Sequence, residues 1–347
     1  MREKGYGNVV TIYDIAKRAN VSPMTVSRYI NQSGYMSEET KRKVEKAIDE
    51  LGYVPNLNAR SLISKKTKIL SLLITDITNP FFTKVARGAE DKAKQLGYQI
   101  LLSNTDENMS KESDYIETVL ATRVDGVLLA PAGDESVKNL KRLRKHHIPF
   151  VLIDREIQGI DCDLILGDSY EGARKLTEHL LQQGHRKIAM LNGPAHISTA
   201  RERKRGYEET LKLADIRIDQ RWISEINFKK DDAHAAIEQF LSLDRKDRPT
   251  AIFAANNFIA VSAIHALRNH GVKVPDEMTI VCFDDIDPYT NTSPYLTAAS
   301  ASQPAYDYGY MGIQFLIERI EGKAPASYRR IELSPEMHFA TTESILK

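Results

Sequence analysis

The stretch TIYDIAKRANVSPMTVSRYIN, residues 11–31, decides how the first part of the chain folds. Thr11 is a predicted N-cap, and Asp14, three residues later, has the spacing of a capping box. Ser22 predicts a second N-cap, with Pro23 at the first helical position, where a missing N–H costs nothing. Two short helices joined by a tight turn form a helix-turn-helix, which is the fold that this stretch predicts.

A third helix is predicted to follow the motif. Ser37 is its N-cap, Val44, Ile48 and Leu51 form its apolar stripe, and Gly52 ends it. The three helices together make a small helical head.

The second helix of such a motif points its first residues at base edges in the major groove of DNA. Here these residues are Pro23, Met24, Thr25, Ser27 and Arg28. Arg28 can bond a guanine with two hydrogen bonds, and the hydroxyl groups can bind a phosphate or a base edge. Two alternatives stay open: Met24 touches a thymine methyl or nothing, and Pro23 only fixes the start of the helix.

Charge is distributed unevenly along the 347 residues. The whole chain carries a net charge of +1, but residues 1–68 hold 13 Lys and Arg against 7 Asp and Glu. A basic head on an acidic body favours a polyanionic partner for the head. Ordinary solvated helix faces are the alternative explanation.

From residue 69 onward, apolar runs alternate with amphipathic stretches, a pattern typical of parallel α/β structure. The pattern repeats from about residue 164, which predicts two consecutive doubly wound parallel α/β units. The predicted strands are 69–74, 99–102, 126–130, 150–153, 164–166, 188–191, 251–254 and 279–283. The predicted helices are 80–96, 111–122, 136–146, 169–183, 198–213, 231–243, 257–270 and 304–321.

The motif of residues 11–31, with ELGYVPNLNARSL of residues 50–62 behind it, resembles the lactose-repressor family of bacterial transcription regulators. The resemblance covers essentially the whole chain. It implies an α/β fold with a three-helix helix-turn-helix head, a hinge helix, and two doubly wound lobes of periplasmic-binding-protein-like type. It also implies a DNA-binding regulator, by family default a repressor, whose operator affinity a small effector controls.

The resemblance implies boundaries for these parts. The head covers residues 1–55, the hinge 56–66, and the effector-binding and dimerisation core 67–347. Within the core, the first lobe is expected at about 67–160 plus 292–322. The second lobe is expected at about 161–291 plus 323–347.

The hinge is a short segment between the head and the core. A helix over about residues 57–63 is too short to hold alone in water, so we expect it to form on DNA. By resemblance, Leu62 enters the minor groove and unstacks a central base step. The complete set of expected DNA contacts is Thr11, Tyr13, Ser22, Pro23, Met24, Thr25, Ser27, Arg28, Asn31, Asn56, Ala59, Arg60 and Leu62.

Small molecules in such folds bind at the carboxyl ends of the strands, between the lobes. Polar and aromatic residues follow several predicted strands, and most match the family's effector contacts. Carboxylates, one guanidinium and aromatic faces together suit a polyol such as a sugar or sugar derivative. The expected effector residues are Asp76, Phe81, Phe82, Asp154, Arg203, Phe228, Asn256 and Asp284.

Other roles for some of these residues stay open. Asp284 and Asp285 could cap the following loop, and Phe82 could belong to the lobe core. Arg201 reads as a solvated or salt-bridged helix residue. Two positions depart from the family pattern: Asn257 replaces a common aspartate, and Cys282 replaces a common glycine. Both departures leave the identity of the effector open.

Several classes of protein lack support in the sequence. We find no run of about 18 apolar residues and no secretory signal, so we expect no membrane partner and a cytoplasmic protein. Two distant cysteines and nine scattered histidines predict neither a disulfide nor a metal site. No catalytic or nucleotide-binding motif is present, so we predict no cofactor and no enzyme.

We predict that the protein binds a palindromic operator as a homodimer. The dimer is favoured over the tetramer because we find no heptad tail. The main alternative is the solute-binding protein of a sugar transporter, followed by an enzyme. The sequence does not fix the effector or whether it releases or promotes DNA binding.

Overall fold

The computed structural model describes residues 10–30, 33–53, 66–228, 233–286 and 296–340. These residues fall into two compact units that divide between Thr67 and Lys68. We call them the head and the core.

The described part of the head forms three helices around a very small core. They are α1 (Ile12–Ala19), α2 (Pro23–Ile30) and α3 (Glu38–Leu51). The predicted caps are present: Asp14 Oδ2 accepts hydrogen bonds from the N–H (2.8 Å) and the hydroxyl (2.7 Å) of Thr11. Ser37 Oγ accepts from the N–H of Thr40 at 3.3 Å. The buried apolar residues are Ile15, Ala16, Ala19, Val26, Val44 and Ala47.

The core contains two six-stranded sheets that are parallel except where the last strand pairs antiparallel with β10. Its strands are β1 (Ile69–Ile74), β2 (Gln99–Asn104), β3 (Gly126–Leu129), β4 (Phe150–Ile153), β5 (Asp163–Gly167), β6 (Ile188–Asn192), β7 (Ile223–Glu225), β8 (Ala251–Ala254), β9 (Thr279–Phe283), β10 (Ala299–Ser302), β11 (Arg330–Leu333) and β12 (Glu336–Phe339). Its helices are α4 (Pro80–Gln95), α5 (Met109–Thr122), α6 (Val137–Lys145), α7 (Ser169–Gln182), α8 (Ser198–Leu213), α9 (His234–Ser242), α10 (Asn257–Asn269) and α11 (Ala305–Ile320).

The first lobe is built on the sheet β11-β5-β4-β3-β1-β2, and the second on β12-β10-β9-β8-β6-β7. Most of these strands are buried apolar runs, such as Ile69–Ile74, as expected when helices cover both faces of a parallel sheet. The eight predicted strands and eight predicted helices of the core are present near their predicted positions, and the described core also contains the strands β7, β10, β11 and β12.

The predicted division into lobes is wrong in three places. Strand β5 (163–167), expected in the second lobe, pairs with β4 in the first lobe. Strand β11 (330–333), also expected in the second lobe, pairs with β5. Strand β10 (299–302), expected in the first lobe, pairs with β9 in the second. The chain changes sheets just after these strands, and strand periodicity carries no information on which sheet a strand joins.

Candidate nucleic-acid interface and ligand cavity

The predicted DNA contacts of the head lie partly on exposed surface. Tyr13 and Met24 are 68% and 65% exposed, although both are large hydrophobic residues. Arg28 is also exposed, on the last turn of α2. Exposed apolar side chains beside an exposed guanidinium are typical of a surface that meets base edges and thymine methyl groups.

Other predicted contacts also hold the head's own structure. Ser22 Oγ accepts a hydrogen bond from the N–H of Thr25 at 3.1 Å and lies 2.9 Å from its hydroxyl. Thr11 is exposed and completes the capping box, while Pro23 and Ser27 are half-buried. The remaining predicted contacts lie outside the described residues; they are Asn31, Asn56, Ala59, Arg60 and Leu62.

In the core, one cavity between the lobes brings together all eight residues that the sequence singled out for the effector. They are Asp76, Phe81, Phe82, Asp154, Arg203, Phe228, Asn256 and Asp284. They lie in loops that follow strands of both sheets or in the N-terminal turns of helices α4 and α8, which is why residues more than 200 positions apart meet. The cavity measures about 30 Å³, room for one or two water molecules. The lobes are therefore closed on each other, and a sugar enters only if they part.

Five further residues line the cavity that are not in the predicted effector set. They are Asn79, Glu107, Arg155, Thr199 and Gln303. The rule that found the others could have found two of them, because Glu107 follows β2 and Gln303 follows β10. Arg155 follows the predicted Asp154 directly.

Asp154 and Asp284 occupy matching positions in the two lobes, each directly after a strand. Both have left-handed backbone conformations, with φ of 65° and 60°. Aspartate tolerates this region better than most residues, but it is unusual outside glycine and often marks a functional site. The turn aims both carboxylates into the cavity.

Arg203 reaches the cavity from α8 as a buried cation. Its Nη1 donates to the carbonyl of Ala255 at 2.5 Å, and its guanidinium lies 3.9 Å from the ring centre of Phe283. Its Nε has no hydrogen-bond partner among the described residues. Burial lowers the Arg203 pKa, while Asp284 and Asp154 act in the opposite direction. A ligand oxygen would satisfy this free donor.

The adjacent aspartates after β9 have separate tasks. Burial raises the pKa of Asp284 to about 6, and its Oδ1 accepts a hydrogen bond from Gln303 Nε2 at 2.8 Å. Asp285 instead accepts hydrogen bonds from the hydroxyls of Ser300 and Ser302, both at 2.6 Å. Burial opposes ionisation of Asp285, but these bonds outweigh it and lower its pKa. Asp285 therefore holds the end of β9 to β10, and Asp284 lines the cavity.

A second charged cluster lies on the first-lobe wall. Arg155 donates to both carboxylate oxygens of Glu107, at 2.6 and 2.7 Å, and to the carbonyl of Pro131 at 3.0 Å. Its Nε is 3.3 Å from Asp154 Oδ2. Burial raises the Asp154 pKa, and Arg155 and Arg203 partly offset that rise. Arg155, held by Glu107, therefore places a positive charge beside Asp154 at the cavity wall.

Aromatic rings form the apolar walls. Phe81 and Phe82 meet edge to face, with ring centres 4.9 Å apart. Both belong to the buried core of the first lobe and also line the cavity. Phe82 is therefore both a lobe-core residue and a cavity residue, the two roles that the sequence left open. Phe228 packs over Gly193, where any Cβ would lie 2.1 Å from the ring.

The two departures from the family pattern lie behind the cavity surface. Asn257 is not among the lining residues; its amide faces that of Asn79 across the lobes, with N–O distances of 3.4 Å. Cys282 is buried and its Sγ lies 3.1 Å from the carbonyl of Asp284. Burial raises its thiol pKa well above the usual value. Both therefore influence the site only through neighbouring residues.

Among the described residues, we find no group of three or more His, Cys, Asp or Glu that could hold a metal ion. None of the helices in the described ranges is long and apolar enough to cross a membrane.

Two family models match the chain in order. Residues 11–56 match the bacterial regulatory proteins of the lacI family. Residues 66–333 match the periplasmic binding proteins and sugar binding domain of the LacI family.

Relatives that match nearly the whole chain agree with these two family models. The HTH-type transcriptional repressor PurR of Photobacterium profundum is 36% identical over 330 residues, covering 95% of this chain and 97% of the relative. The HTH-type transcriptional regulator DegA of Bacillus subtilis is 32% identical, covering 94% and 96%.

Solved structures are similar along most of their length. The lac repressor dimer bound to operator and the anti-inducer ONPF has a TM-score of 0.79 at 25% identity, covering 96% of this chain and 99% of that one. The complex of the transcriptional regulator CelR with cellobiose has a TM-score of 0.70 at 28% identity, covering 95% and 98%. The chain belongs to the LacI family of bacterial transcription regulators.

Proposed function

We propose that this regulator is a repressor that binds a palindromic operator as a homodimer and releases or tightens it when a small carbohydrate-like effector occupies the core cavity. The observation that carries the proposal is the convergence of eight residues, from strand-end loops of both lobes and from helices α4 and α8, on one cavity. A ligand held by residues of both lobes shifts the equilibrium between lobe arrangements, because it binds one arrangement better than the other.

The chemistry of the cavity supports a polyhydroxylated ligand. Asp154 and Asp284 offer acceptors for paired hydroxyls, and Arg203 offers a donor that is free in the described structure. The Phe81 and Phe228 rings supply faces on which a sugar ring can lie. The matched family model names a sugar-binding domain, and the CelR structure contains cellobiose.

On the DNA side, the exposed face of the head supports major-groove binding. Arg28 and Met24 are the proposed base contacts, with Thr25 and Ser27 beside them on α2. Asn31 and the hinge residues Asn56, Ala59, Arg60 and Leu62 complete the proposed interface.

A regulatory role is proposed in place of a catalytic one, since the similar proteins are repressors and regulators. A bacterial regulator of this kind acts in the cytoplasm, because that is where the chromosome lies. The proposal of a dimer follows the lac repressor, which is a dimer on its operator.

The experiment has two arms. The operator is selected from a random double-stranded DNA library, and a panel of sugars, sugar acids and sugar phosphates is screened by thermal shift. Arg203→Ala should then weaken binding of the identified effector by roughly 2–5 kcal/mol, since it leaves buried carboxylates without their cation.

Arg205→Ala is the matched control, because Arg205 lies on the same helix and pairs with Glu202 at 2.6 Å outside the cavity. Operator affinity without effector should stay the same in both variants. Full effector binding by Arg203→Ala in calorimetry would show that the cavity is not the effector site.

A further inference from the structure

An ion pair outside the effector cavity joins the two lobes. Arg201, in the first turn of α8 in the second lobe, donates to both carboxylate oxygens of Asp134 at 2.8 and 3.2 Å. Asp134 follows β3 in the first lobe. Neither residue lines the effector cavity. The two-point contact fixes the relative orientation of the partners more tightly than a single hydrogen bond would.

Backbone bonds surround this ion pair. The N–H of Asp134 donates to the carbonyl of His196 in the other lobe at 3.1 Å. Arg201 Nη1 also donates to the carbonyl of Ala195 at 2.8 Å. At Gly133 any Cβ would lie 2.5 Å from the His196 ring, so glycine permits the close approach of the two loops. The contact is a fitted junction between the lobes.

On the first-lobe side of the junction, the segment around Asp134 is held by a buried carboxylate. The Glu112 carboxylate is fully buried and accepts three hydrogen bonds of 2.8 Å from the turn that carries Asp134 and from helix α6 behind it. The donors are the N–H of Ala132, the hydroxyl of Ser136 and the side-chain amide of Asn139. Asp134 is therefore presented on a preformed turn, which reduces the entropy lost when the pair forms.

The second-lobe side of the junction is connected to the effector cavity through one helix turn. Arg201 and Arg203 are two residues apart on α8, and Arg203 reaches the cavity while Arg201 reaches Asp134. A movement of α8 that brings Arg203 to a ligand must also bring Arg201 to Asp134.

We propose that Asp134 and Arg201 are positioning residues for the effector response, whose ion pair favours the closed arrangement of the lobes without touching the effector. This rests on the proposed function only in that closure is what the effector controls. The ion pair shifts the equilibrium between open and closed lobes only modestly, because the side chains of Arg201 and Asp134 are 35% and 48% exposed. Exposed pairs shift an equilibrium by only about two- to fivefold and weaken with salt.

Hydrogen exchange of the effector-free protein tests this directly. The N–H of Glu156 donates to Ser198 Oγ across the lobes at 3.0 Å, so its exchange reports closure at a contact separate from the ion pair. Arg201→Gln should raise exchange at Glu156 by about two- to fivefold. Salt should raise it in the original protein and have little effect in the variant.

Asp134→Asn should reproduce the effect, and Arg205→Gln, which breaks a pair within the second lobe, should not. Exchange in the buried strands β3 and β8 should stay unchanged, which separates opening from unfolding. Unchanged exchange at Glu156 in both test variants, or an equal rise in Arg205→Gln, overturns the proposal. Failure to bind any operator would instead contradict the proposed function, since the exchange experiment uses no DNA.

Discussion

The head and the core present their candidate sites in opposite ways. The head offers a partly exposed surface whose described residues all come from one short stretch, Thr11 to Arg28. The core offers a buried cavity whose residues come from Asp76 to Gln303 and from two sheets. The first site exists wherever two helices form, whereas the second exists only when two lobes fold and close.

The difference also concerns charge. The head carries an excess of basic residues in water, where attraction acts at long range and is screened by salt. The cavity holds Asp154, Arg203 and Asp284 out of water, where burial shifts their pKa values. One site should therefore respond mainly to ionic strength, and the other mainly to pH.

The largest expected effect is the salt dependence of operator binding. Cations of the head displace counterions from DNA phosphates, and six to ten such contacts lower affinity roughly a thousandfold to a hundred-thousandfold between about 50 and 200 mM salt. Fluorescence anisotropy with labelled operator measures it. Effector binding over the same range should change little, and equal salt dependence at both sites would abolish the distinction.

Next comes the pH dependence of the paired aspartates. Because burial raises the Asp284 pKa from 3.8 to about 6, the folded protein holds that proton more tightly than the unfolded chain. The stability that this group contributes is complete below pH 4 and lost as pH rises through about 6. Asp284→Asn should therefore raise the free energy of unfolding by up to about 3 kcal/mol at pH 7 and by little at pH 4.

Asp285→Asn is the matched control with the opposite sign. Its pKa is lowered, so its carboxylate stabilises the fold above the ordinary pKa and loses that effect as pH falls. The substitution should lower stability at pH 7, as urea unfolding at several pH values would show. A gain of stability in both variants would mean that the two carboxyls do not differ in environment.

The sequence predicted the head better than it predicted the arrangement of the core. Caps such as Ser37 and Asp14 act within three residues, so local chemistry reveals them. The cavity residues were accessible through a fold-level rule, because parallel strands place their carboxyl ends together. Strand β10 and the contact of Asp134 with Arg201 were not, since they depend on which sheet a strand joins and how closely the lobes meet.

A smaller effect is expected at Arg28. If its guanidinium bonds a guanine with two hydrogen bonds, Arg28→Ala should cost about 1–3 kcal/mol and relax base preference at one position in each half-site. Lys43→Ala is the control, since Lys43 pairs with Glu39 at 2.7 Å on α3. Binding selections with both variants measure it. A uniform loss over all sequences would make Arg28 a phosphate contact.

The smallest effect concerns the stability of the head itself. Ser37→Ala removes the N-cap of α3, a loss that typically costs about 1 kcal/mol. The described part of the head buries six apolar residues, three of them alanine, so the cap is a large share of what stabilises it. Asn108→Ala removes the N-cap of α5 and should cost about as much free energy in the core. The core should keep a larger free energy of unfolding after this loss than the head does. Hydrogen exchange should therefore show general opening of α1 to α3 in the first variant, and only local fraying of α5 in the second. Equal protection of α1 in Ser37→Ala and in the original protein would show that the head draws its stability from elsewhere.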